Sequence, residues 1–190
     1  VIGDTPLSRA LAVLAPHVGF STMVIAHDAD ASQFPDAQDM IPDDQEIPEA
    51  FNSNAQRGYV VVATQGKRDL QGLRAAMAIR AKQVFFVASE RKAEVLKRAL
   101  IEAGEDPAAV RAIIAPAGEP IGAQTPQEIA LSVLAAVVAL KSSASKRHHS
   151  DAQALADINT SSTAPQVASS ACSREAPKAL PPAQRACCGV

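Results

Sequence analysis

The stretch Tyr59-Val60-Val61-Val62-Ala63-Thr64, followed later by Val84-Phe85-Phe86-Val87-Ala88, decides the fold. Each is a short, continuous apolar run. Strands buried on both faces of a parallel sheet read this way, because covering helices leave no solvent face to impose alternation. The residues between the runs keep a different period: from Asp69 to Arg80, Leu73, Ala76 and Met77 fall on one side and Arg80 takes the solvent end. Strand, helix and strand in that order form one crossover unit, the connection a parallel pair needs.

Outward from this unit the alternation continues. Thr22-Met23-Val24-Ile25-Ala26 reads as a further strand, and Ala112-Ile113-Ile114-Ala115 as a weaker one. Val1-Ile2-Gly3 reads as the last residues of a strand running straight into a turn, as though the chain began inside a larger sequence. Pro6 to His17 sets Leu7, Ala10, Leu11 and Leu14 on one face; Glu90 to Ala103 carries Val95, Leu96, Ala99 and Leu100 and stops at Gly104, a natural left-handed cap. Thr125-Pro126-Gln127-Glu128 is a capping box with proline at the first helical position. The run after it, Ile129 to Leu140, is apolar nearly all round and predicts a buried helix. The expected architecture is α/β: a Rossmann-like doubly wound parallel sheet in three layers, with strand order 3-2-1-4-5. Asp28 to Arg57, acidic and broken by prolines, reads as mostly loop.

Composition narrows the function classes. With 18 Lys+Arg against 20 Asp+Glu in 190 residues, the chain has no excess of positive charge for a phosphate backbone, which excludes general nucleic-acid binding. No apolar run approaches the roughly 18 residues of a membrane-spanning helix, and no signal-peptide pattern is present, so a cytoplasmic location is expected. Six of the 18 basic and three of the 20 acidic residues fall at or after Lys141, leaving a mildly acidic domain ahead of it. Residues 1–141 read as that domain and residues 142–190, rich in Ser, Ala and Pro, as a disordered low-complexity tail. The three cysteines, Cys172, Cys187 and Cys188, all lie in the tail without metal-ligand spacing.

In a sheet of this kind ligands bind beyond the carboxyl ends of the strands. The first turn, Gly3-Asp4-Thr5-Pro6-Leu7-Ser8, keeps only the first glycine of the dinucleotide fingerprint. Thr5 stands where a second glycine would admit a pyrophosphate, and Ser8 where a third would let helix and strand approach. Asp28, just past the next strand tip, is placed to hold a ribose hydroxyl. The turn is either an NAD(P) site or a structural connector. Helix amino termini attract anions, and the loop Gly118 to Thr125, with Gly122, is either such a site or a plain connector. Ser89 reads as a helix cap, with Arg91 as a phosphate contact or a solvated charge. Asp4 and Asp69 read as isolated carboxylates, His17 as a helix C-cap and His27 as a strand-tip candidate for function. Neither a catalytic pair nor a metal set is legible.

The string from Ile113 through Ile121-Gly122-Ala123-Gln124-Thr125-Pro126-Gln127-Glu128-Ile129-Ala130-Leu131-Ser132 resembles the XdhC/CoxF family. Supporting matches are Gln33-Phe34-Pro35-Asp36-Ala37, similar to the family's Arg-Phe-Pro segment; Val61-Val62-Ala63-Thr64 with Asp69, similar to its Thr-His loop; and Val87-Ala88-Ser89-Glu90-Arg91-Lys92, similar to its Gly-Ser-Arg-Arg helix start. The resemblance covers about residues 1–141. It implies the carboxy-terminal Rossmann-type domain of an accessory factor for molybdenum hydroxylases such as xanthine and carbon monoxide dehydrogenases, without the family's amino-terminal domain. Such factors are chaperones rather than enzymes. They bind molybdenum cofactor transiently, assist its sulfuration with a cysteine desulfurase and deliver it to the apo-hydroxylase. A homodimer is among the expected assemblies. The ligand crevice expected on this reading is lined by Gly3, Asp4, Thr5, Ser8, Asp28, Thr64, Ser89, Arg91, Gly122 and Thr125. Departures from the family pattern fall on that crevice: its Gly-Ala-Gly-His turn is Gly3-Asp4-Thr5-Pro6 here, and the histidine of its Thr-His loop is Gln65. The alternatives are an NAD(P)-dependent oxidoreductase, or a degenerate domain kept for docking through its acidic 36–50 loop or its tail.

Overall fold

The computed structural model describes residues 1–27, 30–42 and 58–160. Helix α1 (Pro6–His17) leads into strands β1 (Met23–Ala26) and β2 (Asp39–Pro42). Strand β3 (Tyr59–Val62), helix α2 (Asp69–Ala78), strand β4 (Gln83–Phe86), helix α3 (Glu90–Glu102), a short helix α4 (Pro107–Arg111) and helix α5 (Pro126–Thr160) follow.

Every strand pair is parallel: β1 runs beside β2, and β3 beside β4. Ile2 joins the two pairs, bridging Ile25 on one side and Val62 on the other. Its N–H donates to the Val61 carbonyl, and the Gly3 N–H to the Ile25 carbonyl, both at 2.8 Å. Ile114 adds a last position beside Phe85. The order is therefore β2, β1, Ile2, β3, β4, Ile114, the doubly wound arrangement that the alternating periods predict.

Side-chain alternation explains why β3 and β4 are apolar without interruption. Val60, Val62 and Phe86 point into one core with Leu73, Ile79 and Leu100 under α2 and α3, whereas Val61 and Phe85 point into another with Leu7, Leu11, Val133 and Val137 under α1 and α5. Each buried Leu or Val contributes about 1.5–3 kcal/mol relative to exposure, so both faces hold the sheet. At the end of α3, Gly104 takes a left-handed φ of 95° and the Glu105 N–H returns to the Leu100 carbonyl at 3.1 Å, closing the helix as its sequence requires.

Two expectations, on Val95 and on the burial of α5, are corrected, and two observations add to the element bounds. The segment read as mostly loop from Asp28 to Arg57 contains a strand, β2, in its described part. Only Ile41 of its first three residues is buried, so the one-sided pattern is weak, and proline is tolerated at a sheet edge. Val95 does not face the core: the covered stripe of α3 is Ala93, Leu96 and Leu100, and Val95 lies off it, 61% exposed. Helix α5 buries one stripe, Ala130, Val133, Leu134 and Val137, and leaves Leu131 and Val138 exposed, so it is not enclosed all round. The backbone of α5 is helical through Thr160. No glycine occurs between Pro126 and Thr160 and the next proline is Pro165, so no strong helix breaker falls inside it. Residues 161–190, including Cys172, Cys187 and Cys188, lie outside the described residues.

Candidate functional site

Because the strands are parallel, their carboxyl ends gather at one edge of the sheet, where Gly3, His27 and Thr64 stand. The turn after the middle strand is closed by its own side chains. Gly3 has a φ of 129°, and a Cβ there would lie 2.8 Å from the Ala63 carbonyl oxygen, so the neighbouring strand demands this glycine. Thr5 caps α1 by accepting from the Ser8 N–H at 3.1 Å, and its hydroxyl donates to the Ala63 carbonyl at 2.8 Å. The Ser8 hydroxyl reaches the same carbonyl at 3.3 Å. Both hydroxyls are buried. Pro6 supplies no N–H, and the Asp4 carboxylate, 3.0 Å from Arg9, sets a negative charge at the helix start. The turn is thus closed on the Ala63 carbonyl through two side-chain hydroxyls, with the Asp4–Arg9 pair beside its start.

The next turn at this edge is built around a carboxylate. Asp69, read from sequence as isolated, is 7% exposed and accepts from the Thr64 hydroxyl, from the Gly66 N–H at 2.9 Å and from Lys92 of α3. Burial alone would raise this carboxyl's pKa. The bonds from Lys92, Thr64 and Gly66 together outweigh burial and hold it below the usual range. The loop it braces runs through left-handed positions at Gln65, Gly66 and Arg68, with φ of 49°, 96° and 60°. Lys67, Arg68 and Arg91 are exposed there, and the Lys92 ammonium sits 3.7 Å from where a Cβ on Gly66 would be. Ser89 caps α3 by accepting from the Lys92 N–H at 3.4 Å, as its sequence position suggests.

The loop before α5 is held differently. A Cβ on Gly118 would lie 2.5 Å from the Ser132 hydroxyl, so the loop rests directly on the helix. The Glu128 carboxylate accepts from the N–H groups of Gln124 at 2.8 Å and Thr125 at 3.0 Å, while the Thr125 hydroxyl accepts from the Glu128 N–H at 3.3 Å. This is the expected capping box. The amide bonds from Thr125 and then Gln124 hold the Glu128 carboxyl below its ordinary pKa. The Gln124 and Thr125 amides, two of the donors that would draw an external anion, already face an internal one.

The structure thus gathers Gly3, Thr5, Ser8 and Thr64 around the end of β3 and sets Ser89 and Arg91 on the first turn of α3. Gly122, with open space around it, and Thr125 stand in the loop ahead of α5, and among the described residues no hydrogen bond links them to the first turn. Asp28 lies outside the described residues. Sequence reasoning missed the Thr64–Asp69–Lys92 cluster because its members lie on two elements whose approach no local spacing reveals. The one available signal was an acid opening a helix straight after a Thr-ended strand. Among the described residues, no three His, Cys, Asp or Glu side chains gather as a metal set. No described helix is long and apolar enough to cross a membrane.

No curated protein matches this chain. Among solved structures, it is similar to a Bacillus halodurans protein described as a xanthine dehydrogenase, with 25% identity and a TM-score of 0.55. The likeness covers 75% of this chain and 41% of that one, so the chain matches less than half of that protein's length. Residues 1–137 match the XdhC Rossmann domain. The match takes in the whole parallel sheet and the start of α5, well over half of the chain: the chain belongs to the XdhC family.

Proposed function

We propose that this chain is an accessory factor in the maturation of a molybdenum hydroxylase, holding molybdenum cofactor or a nucleotide as cargo rather than catalysing a reaction. Family membership over residues 1–137 carries the reading. The likeness to a protein described as a xanthine dehydrogenase points to the class of enzyme served. An apo-hydroxylase and a cysteine desulfurase are the partners this role calls for.

The residues fit such a cargo at one place and not at another. The Gly3–Ser8 turn, closed on Ala63 with Asp4 beside it, does not fit a pyrophosphate. The loop of Lys67 and Arg68 with the α3 start at Arg91 and Lys92 suits the anionic end of a phosphorylated ligand. There Arg91 and Lys92 would bind, and Asp69 would keep Lys92 turned toward Gly66. A second reading, a docking module with no small ligand, is favoured by the closed first turn and by Leu131 and Val138, exposed seven positions apart on α5. The same closed turn speaks against an NAD(P)-dependent oxidoreductase.

The test is the molybdenum and pterin content of the protein purified from a cofactor-producing host. Near-stoichiometric content in the parent, lost in Arg91→Ala without a change in thermal stability, is the expected result. Folded protein that carries no pterin but retains an apo-hydroxylase on a column would overturn carriage and leave docking.

A further inference from the structure

Charge is divided unevenly over this molecule. Of the twelve Lys and Arg in residues 1–140, nine fall between Lys67 and Arg98, in company with three acids, Asp69, Glu90 and Glu94. The rest of residues 1–140 carries fourteen acids against three bases. Helices α2 and α3, which cover one face of the sheet, therefore present a basic surface on an otherwise acidic domain.

Periodicity lays that surface out. In α3 the covered stripe is Ala93, Leu96 and Leu100, so Arg91, Val95 and Arg98, at spacings of four and three, share the opposite stripe and are exposed. In α2, Leu73 and Ala76 are buried and Leu70 and Met77 pack against the same core, which leaves Arg74 exposed. Among the described residues the ion pairs are Arg9–Asp4 and Lys92–Asp69, so no neighbour neutralises Arg74, Arg91 or Arg98. Glu94, four positions before Arg98, forms no ion pair with it. Val95, 61% exposed, stands between Arg91 and Arg98. A lone exposed valine is ordinary. Set between two unpaired guanidinium groups, it makes a small apolar centre with a cationic rim, the layout of a protein interface.

We infer that the outward stripe of α2 and α3 is a docking surface for an acidic protein segment: its carboxylates meet Arg74 and Arg98, and an apolar side chain rests on Val95. Charge complementarity selects the occupant. A guanidinium takes a carboxylate through two parallel N–H bonds, whereas a second copy approaching with the same face would set like charge against like. Nucleic acid is disfavoured, because neither helix carries an aromatic side chain to stack a base. The acidic remainder of the domain also repels a phosphate backbone. Arg91 marks the border with the loop of Lys67 and Arg68, and Arg74, Val95 and Arg98 stand outside that loop. The surface therefore stands whether or not the loop holds cargo.

The test follows, by fluorescence anisotropy at low salt, the binding of a labelled peptide, Glu-Glu-Leu-Glu-Ala-Leu-Glu-Glu-Leu-Glu, to the full 190-residue chain. Arg74→Glu with Arg98→Glu is expected to weaken binding about tenfold or more. Serine in place of the peptide's leucines, or Val95→Ser in the protein, should weaken it about threefold or more. Both arginines are exposed, so the paired variant should melt within about 2 °C of the parent. Arg74→Gln with Arg98→Gln, expected to weaken binding about threefold or more, takes its place if reversed charge loosens α3. Unchanged affinity in the folded variants would overturn the inference, as would a folded parent that leaves the peptide unbound. Equal affinity for a single-stranded DNA of the same charge would overturn it too, making the surface a general polyanion site.

Discussion

At the end of the middle strand, Gly3–Ser8 folds onto a backbone carbonyl, whereas one strand over, Thr64–Asp69 folds onto a carboxylate that also reaches Lys92 of another helix. The two turns occupy equivalent places at the carboxyl edge of the sheet. A carbonyl is a fixed, uncharged acceptor, so the hydrogen bonds that close the first turn on Ala63 involve no titrating group. A carboxylate paired with a half-exposed ammonium couples two elements and answers to both. An incoming anion can compete with Asp69 for Lys92, while nothing outside the protein competes for the Ala63 carbonyl. On the reading proposed above, ligand chemistry falls to the second turn and rigidity to the first.

Substitutions can break or sharpen that contrast. Gly3→Ala carries the largest expected effect, a loss of about 3 kcal/mol in urea unfolding, because the left-handed φ and the Cβ contact with Ala63 act together. Asp69→Ala should cost about 2 kcal/mol by the same measurement, since it strands the Thr64 hydroxyl, the Gly66 N–H and Lys92 at once. The carboxylate of the second turn should also answer to pH. The Asp69 carboxyl is depressed, so its contribution is present above the ordinary carboxylate range, near pH 4, and fades as pH falls through its lowered pKa. In Asp69→Asn that part of the acid limb should disappear from a series of melts between neutral and acid pH. Thr5→Val should cost about 1 kcal/mol for the lost cap and leave the acid limb of the parent intact. An altered acid limb in Thr5→Val would break the distinction between the turns. Arg91→Ala should change stability by less than about 0.5 kcal/mol yet weaken pyrophosphate binding measured by calorimetry.

The parallel sheet and its helices were legible because they rest on period, a property of single segments. Tyr59 to Ala63 could be little else than a buried strand, and Thr125 to Glu128 declared its helix start in four residues. Caps were legible for the same reason, and Ser89 and Thr125 both act as caps. Strand β2 was not, because an edge strand needs only one buried residue in three or four and can carry an acid and a proline. Nor was the exposure of Val95, which depends on where α2 and α4 leave α3 uncovered. At the first turn the position of Thr5 was legible and its bonding was not: its hydroxyl caps α1 and reaches the Ala63 carbonyl across the sheet. The Asp69–Lys92 pair was beyond reach, since it depends on the distance between two helices that follow different strands.

The edges of the sheet carry a last consequence. Among the described residues, the sheet ends on one side at β2, four residues opening with Asp39 and closing with Pro42, and on the other at Ile114 alone. A charged start and a residue without an N–H make the first a poor template for another strand, and a single bridging residue makes the second a short one. Neither edge among the described residues offers a long flat ladder, so the described part of the sheet is a poor template for fibrillar growth, and Leu131 and Val138 on α5 are the better place for copies to meet.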